Sequence, residues 1–352
     1  MIFVAGLGLV LAALVAWDAA VTVLHPDAEG LLAKSIRRAM WRLTALVSMC
    51  LPRVDRHVLG LAGPVIVAMT FVGWIVLITL GITLVVWPML GDDFEVQANL
   101  GSLTFLDALY FASGTVTVLG YGDITPVSTG GQLISVFGAA IGFTMFTGMA
   151  TYAIEIVSGL ATRNRFTLAV HDDTRGGGGA TMLAECLAEA GADETRERCR
   201  SWAEYLRAVD DMVHRYPLVA FTYRSHRDEY DPEPALRHVA EATVTALVAA
   251  GREPALRATA EALCSALTRL QCTIADKYLG SDIARRLADP QPTAQDRQAV
   301  ANVASLLSTH LGCSVPAAEH QVATEAVHRC RTFLAGLHHW SRSSMPPHEW
   351  DD

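Results

Sequence analysis

Three long apolar stretches order the first half of the chain: Ile2 to Leu24, Val58 to Leu90 and Gln132 to Leu160. About 20 apolar residues at 1.5 Å rise each cross a hydrocarbon core, so each stretch predicts a transmembrane helix. A cleaved signal peptide competes for the first. However, no basic residues precede its apolar run and no small-residue cleavage site follows a core of ordinary length, so a retained helix is predicted. Val58 to Leu90 is longer than a perpendicular span needs and contains Pro64, which predicts a tilted helix or one emerging into the interface. Beyond Leu160 the pattern turns amphipathic. Trp202, Tyr205, Leu206, Val209, Met212 and Val213 fall on one helical face. Leu256, Ala260, Leu263, Leu267, Leu270 and Ile274 alternate four and three apart like a heptad seam, but the run is under three heptads. A bundle within one domain is therefore preferred to a seam between chains.

Charge sharpens the division. The first 160 residues hold six Lys/Arg and ten Asp/Glu; the remaining 192 hold 21 and 26. Net charge is −9 and mean hydropathy +0.30 over 352 residues. Phosphate-backbone binding needs clustered cations, and neither half has a basic surplus, so nucleic acid is excluded as a partner. Lys34, Arg37, Arg38, Arg42, Arg53 and Arg56 lie between the first two spans. The stretch from Gly91 to Pro126 contains no Lys or Arg, and Arg163 and Arg165 follow the third span. The positive-inside rule then puts the N-terminus outside and the C-terminal half in the cytosol. Leu31 to Leu51 mixes basic and apolar residues at helical spacing, as expected of an amphipathic helix on an anionic inner leaflet. Its arginines do not repeat every third residue, which gives a voltage sensor little support.

Seven dispersed cysteines without a CxxC pair imply reduced thiols in a cytosol. His310, Cys313, His320, His328 and Cys330 lack zinc-ligand spacing and are read as helix-packing residues; no metal beyond a permeant ion and no cofactor is expected. No phosphate loop or nucleophile motif is visible, so no enzyme is expected. Asp18 lies inside the first span near its inner end. An intramembrane carboxylate suggests function by default, but the reading preferred here lets it reach interfacial water or an arginine of the amphipathic helix.

Leu109 to Pro126 reads LYFASGTVTVLGYGDITP. Non-helical backbone at membrane depth is tolerated only where protein buries it or where it lines a watery path. Gly120 and Gly122 can take positive φ, which lets consecutive carbonyls turn to one axis. The stretch resembles the pore helix and selectivity filter of one-pore-loop prokaryotic potassium channels, whose signature is TVGYGD. The resemblance covers roughly Val58 to Leu160. It implies a pore helix from Ala108 to Thr117 and an ion-binding set of Thr117, Val118, Leu119, Gly120, Tyr121 and Gly122, with Asp123 at the outer mouth. Tyr110, Phe111 and Gly114 would pack the filter, and four chains would share one axis around dehydrated K+. Val118 replaces the signature threonine and so removes a hydroxyl from the innermost site. Gly114 stands where some relatives keep a glutamate, leaving Asp123 without that partner. In the third span Gly138, Gly142 and Gly148 are candidate gating hinges, and close packing is an equal alternative.

The expected fold is all-α: three transmembrane helices plus a re-entrant pore helix and filter, then a helical cytosolic domain. The expected segments are 1–57 (first helix and amphipathic helix), 58–160 (pore domain), 161–180 (linker, including four glycines), 181–341 (helical cytosolic domain) and 342–352 (polar tail). The predicted function is a homotetrameric potassium channel in the prokaryotic plasma membrane, in contact with lipid and gated through its cytosolic part. A nonselective cation channel and a membrane-anchored scaffold are the alternatives. The aromatic and charged loop from Tyr216 to Pro234 is read mainly as a solvated loop. His214, His226 and His238 around it raise a proton-sensing hypothesis.

Overall fold

The computed structural model describes residues 2–25, 28–50, 60–96, 104–175, 177–217, 222–223, 225, 227–315 and 321–341. The expected helix start at Val58, Arg53, Arg56, His226, His320 and the tail 342–352 lie outside these residues. The chain divides into two compact units, Met1–Val157 and Ser158–Asp352.

In the first unit, α1 (Ile2–Leu24), α2 (Leu31–Cys50) and α3 (Ala62–Val86) come first, and α3 ends in a 3₁₀ turn, Trp87–Met89. Pro64 occupies the first turn of α3, where a missing N–H costs nothing, so the helix stays intact. There follow β1 (Phe94–Val96), α4 (Phe105–Val116), β2 (Ile124–Pro126) and α5 (Thr129–Thr174), which crosses into the second unit. Among the described residues α1, the stretch Ala62–Met89 and α5 are long and apolar enough to span a membrane. The protein is an all-α membrane protein whose only described strands are the two three-residue pieces β1 and β2. These pair antiparallel, Phe94 opposite Pro126 and Val96 opposite Ile124. The ribbon leaves no signal in the sequence, because three residues carry no readable period of two.

The core of this unit is built on α3, with Trp74, Ile78, Ile82 and Val86 buried against Val15 and Ala19 of α1 and against Ala108, Ala112 and Val116 of α4. Helices α1 and α3 approach closely where a Cβ on Gly81 would stand 2.9 Å from the Gly8 carbonyl oxygen.

Asp18 holds the next junction, and the expectation for it is corrected. Its Oδ1 accepts from the Leu32 amide at 2.8 Å, and its Oδ2 accepts from the Ala33 amide at 3.3 Å and from Trp74 Nε1 at 2.9 Å. The carboxylate thus caps the first turn of α2 from another helix and ties both to α3. The arginine nearest in sequence is used elsewhere: Arg37 grips Glu29 bidentately at 2.8 and 2.9 Å.

The second unit contains the remainder of α5, then α6 (Gly179–Glu189), α7 (Gly191–Arg215), α8 (Pro232–Ala249), α9 (Arg257–Ile274), α10 (Ser281–Ala288), α11 (Ala294–Leu311) and α12 (Gln321–Ser341). Residues 161–174, expected to belong to a linker, are helical, and the break is confined to a few residues before α6. Gly179 closes that break: its amide donates to Glu241 Oε2 at 2.7 Å. Helix α8 is buried almost all round, as expected for the central rod of a bundle. Helix α7 packs on α9, α6 on α8, and α11 and α12 on α8. Leu256, Ala260, Leu263, Leu267, Leu270 and Ile274 are all buried within this unit, so the seam serves the domain's own core.

Candidate functional site

The site grows from α4. Thr104 and Asp107 form a reciprocal cap, in which the Thr104 amide donates to Asp107 Oδ2 at 2.7 Å. This cap starts the helix at Phe105, three residues before the expected Ala108, and the T-x-x-D spacing was the signal that could have placed it. Inside the helix Ala108, Ala112 and Val116 face the α3 core, which fixes its rotation.

At the other end Thr117 terminates the helix, and its hydroxyl donates to the Ser113 carbonyl at 2.7 Å. The chain then leaves the helical path in an alternating way. Val118 has φ 59°, Gly120 φ 57° and Gly122 φ 87°, while Leu119 and Tyr121 keep negative φ. Such alternation swings successive carbonyls toward one side, where a strand would point them to opposite sides. For a β-branched residue positive φ is a strained state costing about 1–3 kcal/mol. Its neighbours hold it there: the Val118 amide donates to Thr115 O at 3.1 Å and the Leu119 amide to Gly114 O at 2.8 Å. Val118, Leu119 and Tyr121 are more than half exposed in the single chain.

Aromatic packing divides differently from expectation. Tyr110 stacks on Tyr121, with centroids 5.7 Å apart and planes 11° apart. Gly114 lies beneath the Tyr121 ring, where an added Cβ would meet Cδ2 at 3.7 Å. Phe111, expected in the same group, instead packs edge-on against Phe94 of the ribbon at 4.9 Å. Asp123 does have a partner: the Tyr110 hydroxyl donates to its Oδ2 at 2.6 Å. A tyrosine one turn before Gly114 therefore does the anchoring that the missing glutamate would have done. The segment after the loop is fastened by the ribbon and by the amides of Val127 and Ser128, which donate to Asp93 O at 2.9 and 3.3 Å.

The three candidate hinge glycines separate. A Cβ on Gly142 would collide with the Val116 carbonyl, so this position lets α5 seat against the end of α4. Gly138 is also a packing position, its virtual Cβ 3.1 Å from Ile82 Cδ1 and from Thr115 Cγ2. Gly148 is roomier, its nearest neighbour being Val23 Cγ1 at 3.9 Å.

Among the described residues no group of His, Cys, Asp and Glu is arranged to hold a metal ion. His328 Nδ1 lies 3.0 Å from Asp296 Oδ2, and Cys330 Sγ accepts from Gln271 Nε2 at 3.4 Å. Burial pushes the Cys330 and Cys199 thiols up to about 12, which makes them packing groups. Of the histidines near the Tyr216–Pro234 loop, His214 is exposed on α7 and His238 Nδ1 lies 3.6 Å from Glu241 Oε2. From the same loop Tyr223 accepts a 2.6 Å bond from the buried Arg163 guanidinium.

These features define a helical membrane protein with a short helix and a strained, glycine-bearing loop set between two membrane-length helices. Residues 65–159 match the family model described as Ion channel. The chain is 42% identical over 55 residues to Two-pore potassium channel 2 of Arabidopsis thaliana, covering 14% of this chain and 12% of that protein. It is 29% identical over 121 residues to the uncharacterized membrane protein YdjJ of Bacillus subtilis (strain 168), 33% of this chain and 35% of that one. To the calcium-activated potassium channel slo-1 of Caenorhabditis elegans it is 33% identical over 76 residues, 22% of this chain and 6% of that one. The chain thus spans between 6% and 35% of these relatives' lengths. No solved structure matches it.

Proposed function

We propose that four copies of this chain assemble around a common axis as a potassium channel, each contributing the segment Thr117 to Gly122. The observation that carries this reading is the alternation of positive φ at Val118, Gly120 and Gly122 at the C-terminal end of α4. With carbonyls turned to one side, four such segments replace the water shell of a dehydrated cation, and the negative end of the α4 dipole favours that cation below them. The open faces of Val118, Leu119 and Tyr121 supply surface for neighbouring copies. Arg37, Arg38 and Arg42 on α2, and the lack of basic residues from Gly91 to Pro126, support an N-terminus outside and a C-terminal unit in the cytosol of a prokaryotic inner membrane.

The conduction step is transfer of the ion from water to main-chain oxygens, with no bond made or broken, so the protein is no enzyme in this reading. Reconstitution into liposomes tests it. A reversal potential near that of potassium in a potassium/sodium gradient is the expected result, and absence of flux rejects it in favour of a scaffold. One observation favours a second reading, a nonselective cation pore. Val118 offers a methyl group where a hydroxyl would complete the innermost site. Equal permeability to both ions would select that alternative.

A further inference from the structure

The second unit contains a cavity of about 370 Å³ walled by α10, the first turn of α11 and α12. That size is typical of sites for small molecules. Its lining contains two arginines and two histidines. Arg286 comes from α10, and His328, Arg331 and His338 come from α12.

The acid in the lining, Asp296, is already engaged. Asp296 is only 2% exposed, and its carboxylate takes the Thr293 amide at 2.7 Å, the Thr293 hydroxyl at 2.8 Å, His328 Nδ1 at 3.0 Å and Arg331 Nη1 at 3.2 Å. Three of these contacts fall on Oδ2 and one on Oδ1, so most of the carboxylate's acceptor capacity is taken. Glu233, outside the lining, is buried and lies 3.6 Å from His338 Nδ1. Arg331 spends a single bond on Asp296, whereas a guanidinium has five N–H donors. Arg286 is exposed, with no hydrogen bond or ion pair among the described residues. The wall is shaped by a close approach of α10 to α12, since a Cβ on Gly336 would stand 2.5 Å from Ile283 Cδ1. The cavity therefore presents two guanidinium groups with N–H donors to spare around one largely engaged acid, and guanidinium forks match carboxylate or phosphate oxygens.

We propose that this cavity binds a small anionic metabolite, a phosphate monoester or a dicarboxylate, held by Arg286 and Arg331. Binding itself does not depend on the channel reading. The test is isothermal titration of the full chain in detergent with three probes: adenosine monophosphate, succinate and inorganic phosphate. Saturable binding of at least one probe is expected. Arg286→Gln and Arg331→Gln should each weaken it tenfold or more, and Ala335→Trp, at an exposed lining position, should abolish it. Arg200→Gln, on α7 and outside the lining, should leave it unchanged. Which organic probe binds identifies the head group, and binding of inorganic phosphate alone reduces the ligand to that group. Arg331 supports Asp296, so should Arg331→Gln fail to fold, Arg286→Gln and Ala335→Trp decide. No heat with any probe up to about 10 mM, or equal affinity in Arg286→Gln, overturns the proposal.

Discussion

The Tyr110 hydroxyl donates a 2.6 Å hydrogen bond to Asp123 Oδ2, joining the middle of a helix to the residue just past the double-glycine loop. Since the same tyrosine stacks on Tyr121, one side chain holds the loop at two points thirteen and eleven residues downstream. Tyr110→Phe keeps the ring contact and removes the hydroxyl. The loop then loses one of its two holding points. The expected outcome is a lower potassium/sodium permeability ratio in liposome recordings with little change in thermal stability; an unchanged ratio would show the bond to be incidental.

Val118 supplies the second prediction. It is held at positive φ with no hydroxyl to offer an ion. Val118→Thr retains β-branching and so leaves the backbone strain nearly as it is. It should strengthen the innermost site, raising barium block and potassium preference. Identical conductance, block and selectivity in the two proteins would refute the weakened-site argument.

Gly142→Ala addresses packing. The new methyl would run into the Val116 carbonyl, and overpacking of this kind costs about 1–3 kcal/mol. Reduced thermal stability together with impaired flux is expected, whereas Gly148→Ala, in a roomier place, should fold normally. A hinge at Gly142 would instead leave stability intact and alter open probability alone.

Asp18→Ala would strip the Leu32 and Ala33 amides and the Trp74 indole of their acceptor at once. Each buried donor left without a partner costs about 1–3 kcal/mol. A marked fall in melting temperature in detergent is expected, and Asp18→Asn, which keeps one acceptor oxygen, should recover part of the loss.

Acid should weaken the second unit through Asp296. Burial alone would push its carboxyl up, but the Thr293 amide, His328, the Thr293 hydroxyl and Arg331 outweigh burial and hold it below the ordinary value of 3.8. A carboxyl lowered by folding stabilises the native state above its unfolded-state value, and that contribution disappears as pH falls through the folded-state value. Asp296→Asn should therefore be less stable than the parent at pH 7, with the gap closing below about pH 3.8. A gap independent of pH would mean that the substitution acts through packing instead.

Much of the architecture was legible because membrane insertion reads composition over about twenty residues, a signal carried locally by Ile2–Leu24 and the two later spans. The apolar face of α7 and the 4-3 spacing of α9 were legible for a similar reason, since helical periodicity is a property of near neighbours in sequence. The loop was recognisable from GYGD, yet its holding contacts were not. Asp123 is expected to lack the glutamate that some relatives keep at position 114, and the hydroxyl that reaches it instead belongs to residue 110. The resemblance groups Phe111 with Tyr110 around the filter, but adjacent helical residues point about 100° apart, and Phe111 faces Phe94.

By itself the sequence determined which segments are apolar enough to leave water, which backbone positions can take positive φ, and where the chemistry of carboxylates and guanidinium groups is available. Those follow from residue type and local spacing. Only the tertiary structure decided that Asp18 caps a helix fourteen residues away, that Gly142 makes room for the Val116 carbonyl, and that Arg286 and Arg331 face one cavity. The reason is physical: hydrogen bonds and close contacts are satisfied by whatever group folding brings within about 3 Å, and chain separation carries no information about that distance.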